Sequence, residues 1–250
     1  MTAESAVRVV VVHPDLLGTY GDGGNGMILA RRLAWRGIDV ELVQSPSGSP
    51  VPEAADFYCL GGGEDGPEAR SAVELAGGAL NRAVEAGAAV LAVCAGFQLV
   101  GHSFAGADGS PRPGLGLIDV TTAKGDGPRA VGELVAEPVA SALAGLPTLT
   151  GYENHGAVTA LGPGVEPMAR VRSGVGNGAG DGTEGAVSGR VFATYLHGPV
   201  LARNPALADA LLGSVLGPLA PLDDSEADEL RRERLAATAR LRRWHRRRRP

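Results

Sequence analysis

The order in which short apolar runs, glycine-rich loops and helical stretches follow one another constrains this 250-residue chain more than any single motif. Residues 7–12 (Val-Arg-Val-Val-Val-Val) form a β-branched run that reads as a buried strand ending at His13-Pro14. A glycine-rich loop occupies 18–26, and helical spacing over 27–36 is closed by Gly37, a residue that suits a left-handed C-cap. Residues 38–43 read as a second strand. Strand, loop, helix and strand in that order make a βαβ unit, and such a unit commits the chain to a parallel sheet. The pattern recurs: 56–60 is apolar and ends in Gly61-Gly62-Gly63, 69–86 reads as one helix closed by Gly87, and 88–93 is a continuous apolar strand. The expected class is α/β, a mostly parallel twisted sheet with helices on both faces and its ligand site at the carboxyl ends of the strands.

Beyond residue 115 the texture changes to short strand-like pieces at 117–122, 129–136, 148–152, 165–171, 185–188 and 191–195, followed by a helix at 205–216. The glycine-rich stretch 174–182 reads as a flexible turn. With no internal repeat and no long linker, residues 1–220 are expected to form a single domain. Residues 221–250 form a helical tail that starts acidic and ends in the arginines 246–249.

Charge and composition exclude several classes. Apolar residues at 44% and charged residues at 20% describe a chain able to bury a core, not a disordered one. No apolar run approaches the roughly 18 residues of a membrane span. Residues 1–6 have no basic region of the kind that opens a signal peptide, and the two cysteines suit a reducing compartment, so the cytoplasm is expected. The net charge of −5 hides an asymmetry, because residues 231–250 carry ten of the 23 basic side chains. The remainder holds 13 basic against 27 acidic residues and is no nucleic-acid surface. The tail reads as solvated, with a partner subunit or anionic lipid head groups as the other contacts weighed for it.

Cys94 carries the chemistry. It stands where the apolar strand 88–93 turns into a helix through Ala95-Gly96, and small residues on both sides permit the sharp turn of a nucleophile elbow. A thiol there faces a helix N-terminus, which is expected to lower its pKa, and the Ala95 N–H can donate to an oxyanion. Cys59, inside Phe57-Tyr58-Cys59-Leu60, reads as a buried inert thiol.

A thiol nucleophile needs a base. Of the five histidines, His197 closes the strand-like run 191–196 and can be held rigidly at the same sheet edge, so it is favoured, with His155 second. His13, His102 and His245 lack that placement. Gly61-Gly62-Gly63 permits close backbone approach and can supply a further oxyanion N–H. There is no Cys/His cluster with metal-ligand spacing, so no metal is expected. The sole lysine, Lys124, lies outside any G-x-x-x-x-G-K-[ST] pattern, so the chain has no P-loop with which to activate a carboxylate.

Val93-Cys94-Ala95-Gly96-Phe97-Gln98-Leu99 resembles the nucleophile motif of class I, Cys-type glutamine amidotransferases, and Tyr195-Leu196-His197-Gly198-Pro199 is similar to the histidine segment of their cobyric-acid-synthase-like branch. Tyr20-Gly21-Asp22-Gly23-Gly24-Asn25, Gly61-Gly62-Gly63-Glu64-Asp65 and Gly151-Tyr152-Glu153-Asn154-His155-Gly156, with the stand-alone length, resemble the amidotransferase subunits of lipid II isoglutaminyl synthase, the GatD family. The resemblance spans about residues 7–215 and implies the class I glutamine-amidotransferase fold and a glutaminase. In it Cys94 attacks the side-chain amide of glutamine, His197 moves the proton, and backbone N–H groups near Gly62, Gly63 and Ala95 hold the oxyanion. Gln98 and Arg129 match family positions that contact substrate, and a planar guanidinium suits the α-carboxylate. The resemblance also implies a Mur-ligase-like partner, MurT, in a heterodimer, with ATP and magnesium bound there and no cofactor in this chain. That partner would amidate D-glutamate of lipid II in peptidoglycan synthesis.

One position departs from the wider class: Pro199 stands where many members carry a glutamate two residues after the histidine. The acid that orients His197 is therefore open, with Asp22, Glu153 and the partner as candidates. Three other readings stay open: the amidotransferase part of a cobyric-acid-type synthase, a cysteine hydrolase on a related scaffold, and a binding subunit whose cysteine is vestigial.

Overall fold

The computed structural model describes residues 6–247. Strand β1 (Val7–Val12) leads through a loop to α1 (Gly24–Ala34), then β2 (Val40–Ser45), β3 (Phe57–Leu60), α2 (Asp65–Leu75), α3 (Ala79–Glu85), β4 (Ala89–Val93) and α4 (Ala95–Val100). A run of short strands follows: β5 (Ser103–Ala105), β6 (Pro111–Pro113), β7 (Val120–Lys124), β8 (Ala130–Pro138), β9 (Leu149–His155), β10 (Ala157–Leu161), β11 (Ala169–Ser173), β12 (Thr183–Glu184), β13 (Ala186–Ser188) and β14 (Val191–Thr194). Helices α5 (Val200–Arg203), α6 (Pro205–Leu216) and α7 (Ser225–Arg247) complete the described chain.

The central sheet has the order β13-β14-β4-β3-β1-β2. All its neighbours pair in parallel except β13 and β14. Every residue of β3, β4 and β14 is buried, which is why these segments are continuous apolar runs with no alternation. The step from β1 to β2 runs one way along the sheet and the step from β3 to β4 the other. Right-handed crossovers therefore put α1 and α2 on opposite faces. Helices α1, α5 and α6 pack together on one face, and α2 packs with α4 on the other. The order reverses between β1 and β3, which opens a crevice at their carboxyl ends.

Two four-stranded sheets, β10-β7-β5-β6 and β12-β11-β8-β9, are built by residues 103–184. The strand pieces expected there exist, with shifted ends. The run expected at 148–152 extends through His155 and pairs antiparallel with β8 along its length.

The single helix expected at 69–86 is two helices, α2 and α3, separated at Gly77-Gly78. Gly78 takes φ +75°, a left-handed conformation that ends one helix and sets the entry to the next. The second strand lies at Val40–Ser45, two residues later than expected, where it can pair in register with all of β1.

The buried Arg32 of α1 joins three elements. Its guanidinium donates to both oxygens of Asp209 on α6 at 2.7 Å and to both oxygens of Asp224, just ahead of α7, at 2.8 Å. Arg231 of α7 donates to the Thr148 carbonyl at 2.8 Å, so the start of the C-terminal helix is docked on the domain. Residues 248–250, which include the last two arginines of the run noted above, lie outside the described residues, as do residues 1–5. No helix among the described residues is long and apolar enough to cross a membrane.

Candidate active site

Four loops meet at the carboxyl ends of the central strands: the one after β1 with Asp22, the one after β3 with the glycine triplet, the β4–α4 junction with Cys94, and the one after β14 with His197. Cys94 has φ +53° and ψ −106°, a conformation costing a residue with a β-carbon about 1–3 kcal/mol. It is held by its own N–H donating to the Thr194 carbonyl (2.9 Å) and by the Gly96 N–H donating to the Gly61 carbonyl (3.0 Å). A β-carbon at Gly96 would come within 2.8 Å of Leu60 Cβ and of its carbonyl oxygen, so the elbow can form only over a glycine.

His197 is fixed by two backbone hydrogen bonds with Tyr152 of β9 (2.8 and 3.1 Å). Its ring is buried, Nδ1 lies 2.7 Å from Asp22 Oδ2, and Nε2 has no partner among the described residues. With Nδ1–H donating to the carboxylate, Nε2 is left as a bare acceptor, the tautomer a general base needs. Asp22 Oδ2 also accepts the Gly62 N–H at 2.9 Å. A β-carbon on Gly62 would lie 2.6 Å from His197 Cε1 and 3.4 Å from Cys94 Cβ, so thiol and imidazole flank one glycine. The ring of Tyr20 packs edge-on against His197 with centroids 4.8 Å apart.

Burial first, then the charges of Glu68 and Asp22, push the Cys94 thiol well above its ordinary range, while the Ala95 N–H and Arg129 act in the opposite sense. This corrects the expectation that the helix N-terminus lowers it. Helix α4 has only six residues, and its dipole does not offset complete burial. The resting group is a neutral thiol, ionised when a base takes its proton. Cys59 is pushed up to about 12 by burial, in keeping with an inert thiol.

A cavity of about 140 Å³ opens over Cys94, lined by Gly63, Glu68, Gln98, Arg129, Asn154 and His155 among others. Arg129 donates from Nε to Asn154 Oδ1 (2.5 Å) and from a terminal nitrogen to the Asn154 carbonyl (3.0 Å), which leaves its other edge without a partner among the described residues. Asn154 Nδ2 donates to the Tyr20 hydroxyl at 2.5 Å. Gln98, Arg129, Gly63 and Cys94 are thus brought to one cavity, with Ala95 at its helix start.

Gly62 differs from expectation in that its N–H donates to Asp22 Oδ2. His155 lies in the cavity wall with its ring stacked on Tyr195 at 3.9 Å, away from Asp22. Of the internal acids, Glu153 turns to the loop after β11 and accepts N–H bonds from Val175 and Gly176, while Asp22 meets the histidine. His13 hydrogen-bonds Ser71, and His102 lies at the surface beside Asp119. The side chain of His245 lies outside those described.

Glu68 is the cavity residue that sequence reasoning missed. Its only signal was position, five residues past Gly63 on a helix that starts at the glycine triplet.

Residues 8–205 match the CobB/CobQ-like glutamine amidotransferase domain. The chain belongs to that family. It is 34% identical over 201 residues to the GatD subunit of glutamine-hydrolysing lipid II isoglutaminyl synthase from Staphylococcus aureus, covering 79% of each chain. To the same subunit from Streptococcus pneumoniae it is 30% identical over 215 residues, covering 84% of this chain and 80% of that one. A cobyric acid synthase from Pelotomaculum thermopropionicum is 40% identical over 146 residues, which are 54% of this chain and 27% of that one. A crystal structure of a glutamine amidotransferase superposes with a TM-score of 0.56 at 22% identity, over 83% of this chain and 98% of that one, a likeness of fold. This amidotransferase is thus an enzyme of the class I glutamine amidotransferase fold, related to lipid II amidating subunits.

Proposed function

We propose that this amidotransferase hydrolyses L-glutamine to glutamate and ammonia through a thioester on Cys94. It passes the ammonia to a Mur-ligase-like synthetase subunit, MurT, that amidates D-glutamate of lipid II. The observation that carries the chemistry is the buried, unpartnered Nε2 of His197, backed by Asp22 and flanking the same glycine as Cys94.

His197 Nε2 takes the thiol proton as sulfur attacks the amide carbon, and the N–H groups of Gly63 and Ala95 hold the oxyanion. The C–N bond then breaks, the proton passes from His197 to nitrogen, and ammonia leaves a γ-glutamyl thioester. Water, deprotonated by His197, attacks that thioester, releasing glutamate and restoring the thiol. Asp22 holds the imidazole tautomer throughout and stabilises the imidazolium, so in this reading the partner need not supply an acid.

Gln98 and the other edge of Arg129 bind glutamine, the latter at its α-carboxylate. The kinship with GatD subunits over about four-fifths of both chains favours lipid II as the final acceptor over a corrinoid. The partner is a heterodimer subunit that binds ATP and magnesium in the cytoplasm.

The test is release of glutamate and ammonia from L-glutamine by wild type and Cys94→Ser, with and without a Mur-ligase-like partner. Release that disappears in Cys94→Ser is expected. No release with the partner present overturns the glutaminase reading, and activity with a P-loop partner alone moves the acceptor to a corrinoid.

A further inference from the structure

One wall of the cavity carries a carboxyl oxygen that no group among the described residues satisfies. Glu68, in the first turn of α2, is 3% exposed, and its Oε1 has no hydrogen-bond partner among the described residues. It lines the same cavity as Cys94 and Gln98. Leaving a buried acceptor unpaired costs about 1–3 kcal/mol, so a group in this position is explained by a ligand that supplies the missing bond. The cavity is also polarised. Glu64, Asp65 and Glu68 come from the α2 side, while Lys124 comes from the end of β7 and Arg129 from the loop ahead of β8. A molecule that bears an ammonium and a carboxylate on one carbon matches that polarity.

We propose that Glu68 binds the α-ammonium of the amino-acid substrate, opposite the Arg129 guanidinium that takes its α-carboxylate. The inference rests on the glutaminase reading above and names the third contact of that site. With Cys94 at the side-chain amide, three groups then surround the α-carbon, which makes Glu68 a determinant of amino-acid and enantiomer specificity.

Binding is coupled to a proton. The titratable groups around Glu68 are Asp65 and Glu64 on its own side, Cys94 at the head of α4, Tyr195 after β14, and Arg129 and Lys124 across the cavity. Burial, with the Asp65 charge adding to it, holds the Glu68 carboxyl up to about 9, so it is protonated in the empty site at neutral pH. A bound ammonium favours the carboxylate, and the displaced proton leaves to solvent. Because the carboxylate forms only together with the bound ammonium, the ion pair adds no net negative charge to oppose ionisation of Cys94.

The experiment is calorimetric titration of L-glutamine into Cys94→Ser protein, with the partner bound, at neutral pH in two buffers of different ionisation enthalpy. Release of about one proton per glutamine is expected. Glu68→Gln on that background abolishes the release and weakens glutamine roughly 10- to 100-fold. It leaves unchanged the binding of 4-carbamoylbutanoate, which is glutamine without its α-amino group and serves as the control for folding. Glu68→Asp restores part of the proton release. Equal glutamine affinity in Glu68→Gln, with ammonia release by the wild type intact, overturns this inference alone. Absence of both glutamine binding and ammonia release overturns the glutaminase reading and this inference with it.

Discussion

Asp22 reaches His197 across 175 residues of chain, and in the proposed mechanism the contact stands in for an acid two residues after the histidine, where this chain has Pro199. A carboxylate at 2.7 Å from Nδ1 fixes the ring and the tautomer, which a proline at 199 cannot do. Asp22→Asn can still accept the Nδ1–H bond through its amide oxygen, but it brings no negative charge to stabilise the imidazolium that forms in the proposed mechanism. We expect the glutaminase kcat of that variant, measured with the partner, to fall about 10²- to 10⁴-fold while KM changes little. A kcat near the wild-type value would mean that the orienting acid comes from the partner.

Gly62 offers a second expectation from the same geometry. Its α-carbon stands between His197 and Cys94, so Gly62→Ala drives a methyl into the imidazole. The overpacking costs about 1–3 kcal/mol of stability. The protein folds, and activity is lost because His197 is displaced; a circular dichroism melt run beside the glutaminase assay separates the two effects.

Among the elements, those of the central sheet were legible because strands buried on both faces must be continuous apolar runs, and β3, β4 and β1 from Val9 onward are such runs. The elbow at Cys94 and the strand-end placement of His197 followed from the same runs. Less legible was whatever depends on contacts distant in sequence. Gly77-Gly78 inside a helical pattern could have been a tolerated pair, and only the packing of α3 shows it as a break. The pairing of β8 with β9 and the roles of Asp22 and Glu68 depend on neighbours that no local spacing announces.

Arg32 is the same kind of case, an arginine in the last turn of a helix that turns inward to join α1, α6 and the lead into α7. The buried guanidinium is held charged by Asp209 and Asp224, and Asp209 is in turn held below the usual carboxylate range by Arg32 and Arg36 against the effect of its partial burial. Arg32→Met leaves two carboxylates without their shared partner, and a loss of about 3 kcal/mol is expected in denaturant unfolding. The retained Arg36–Asp209 pair keeps the loss from being larger, so Arg32→Met with Arg36→Met should unfold more readily than either change alone.

At the scale of the whole molecule, the site sits where the strand order reverses, and the fold buries acids there that the unfolded chain leaves in water. Glu68 is held up to about 9 and Glu184 up to about 7, both by burial first. In the unfolded chain both ionise near pH 4.3. Between that value and the raised one, the native state keeps a proton the unfolded state has released, so stability falls as pH rises. His13, lowered by burial, acts the other way, but only up to its ordinary value near 6.5. The thiols of Cys59 and Cys94 add to the decline only above about 8.5, where unfolded cysteines ionise. From about pH 7 to 8, then, Glu68 dominates, and unfolding free energy should drop by up to about 1.4 kcal/mol per pH unit. Glu68→Gln removes the titrating group while keeping its shape, so its denaturant midpoint should be nearly flat across that interval. A wild-type slope retained in the variant would place the proton elsewhere in the molecule.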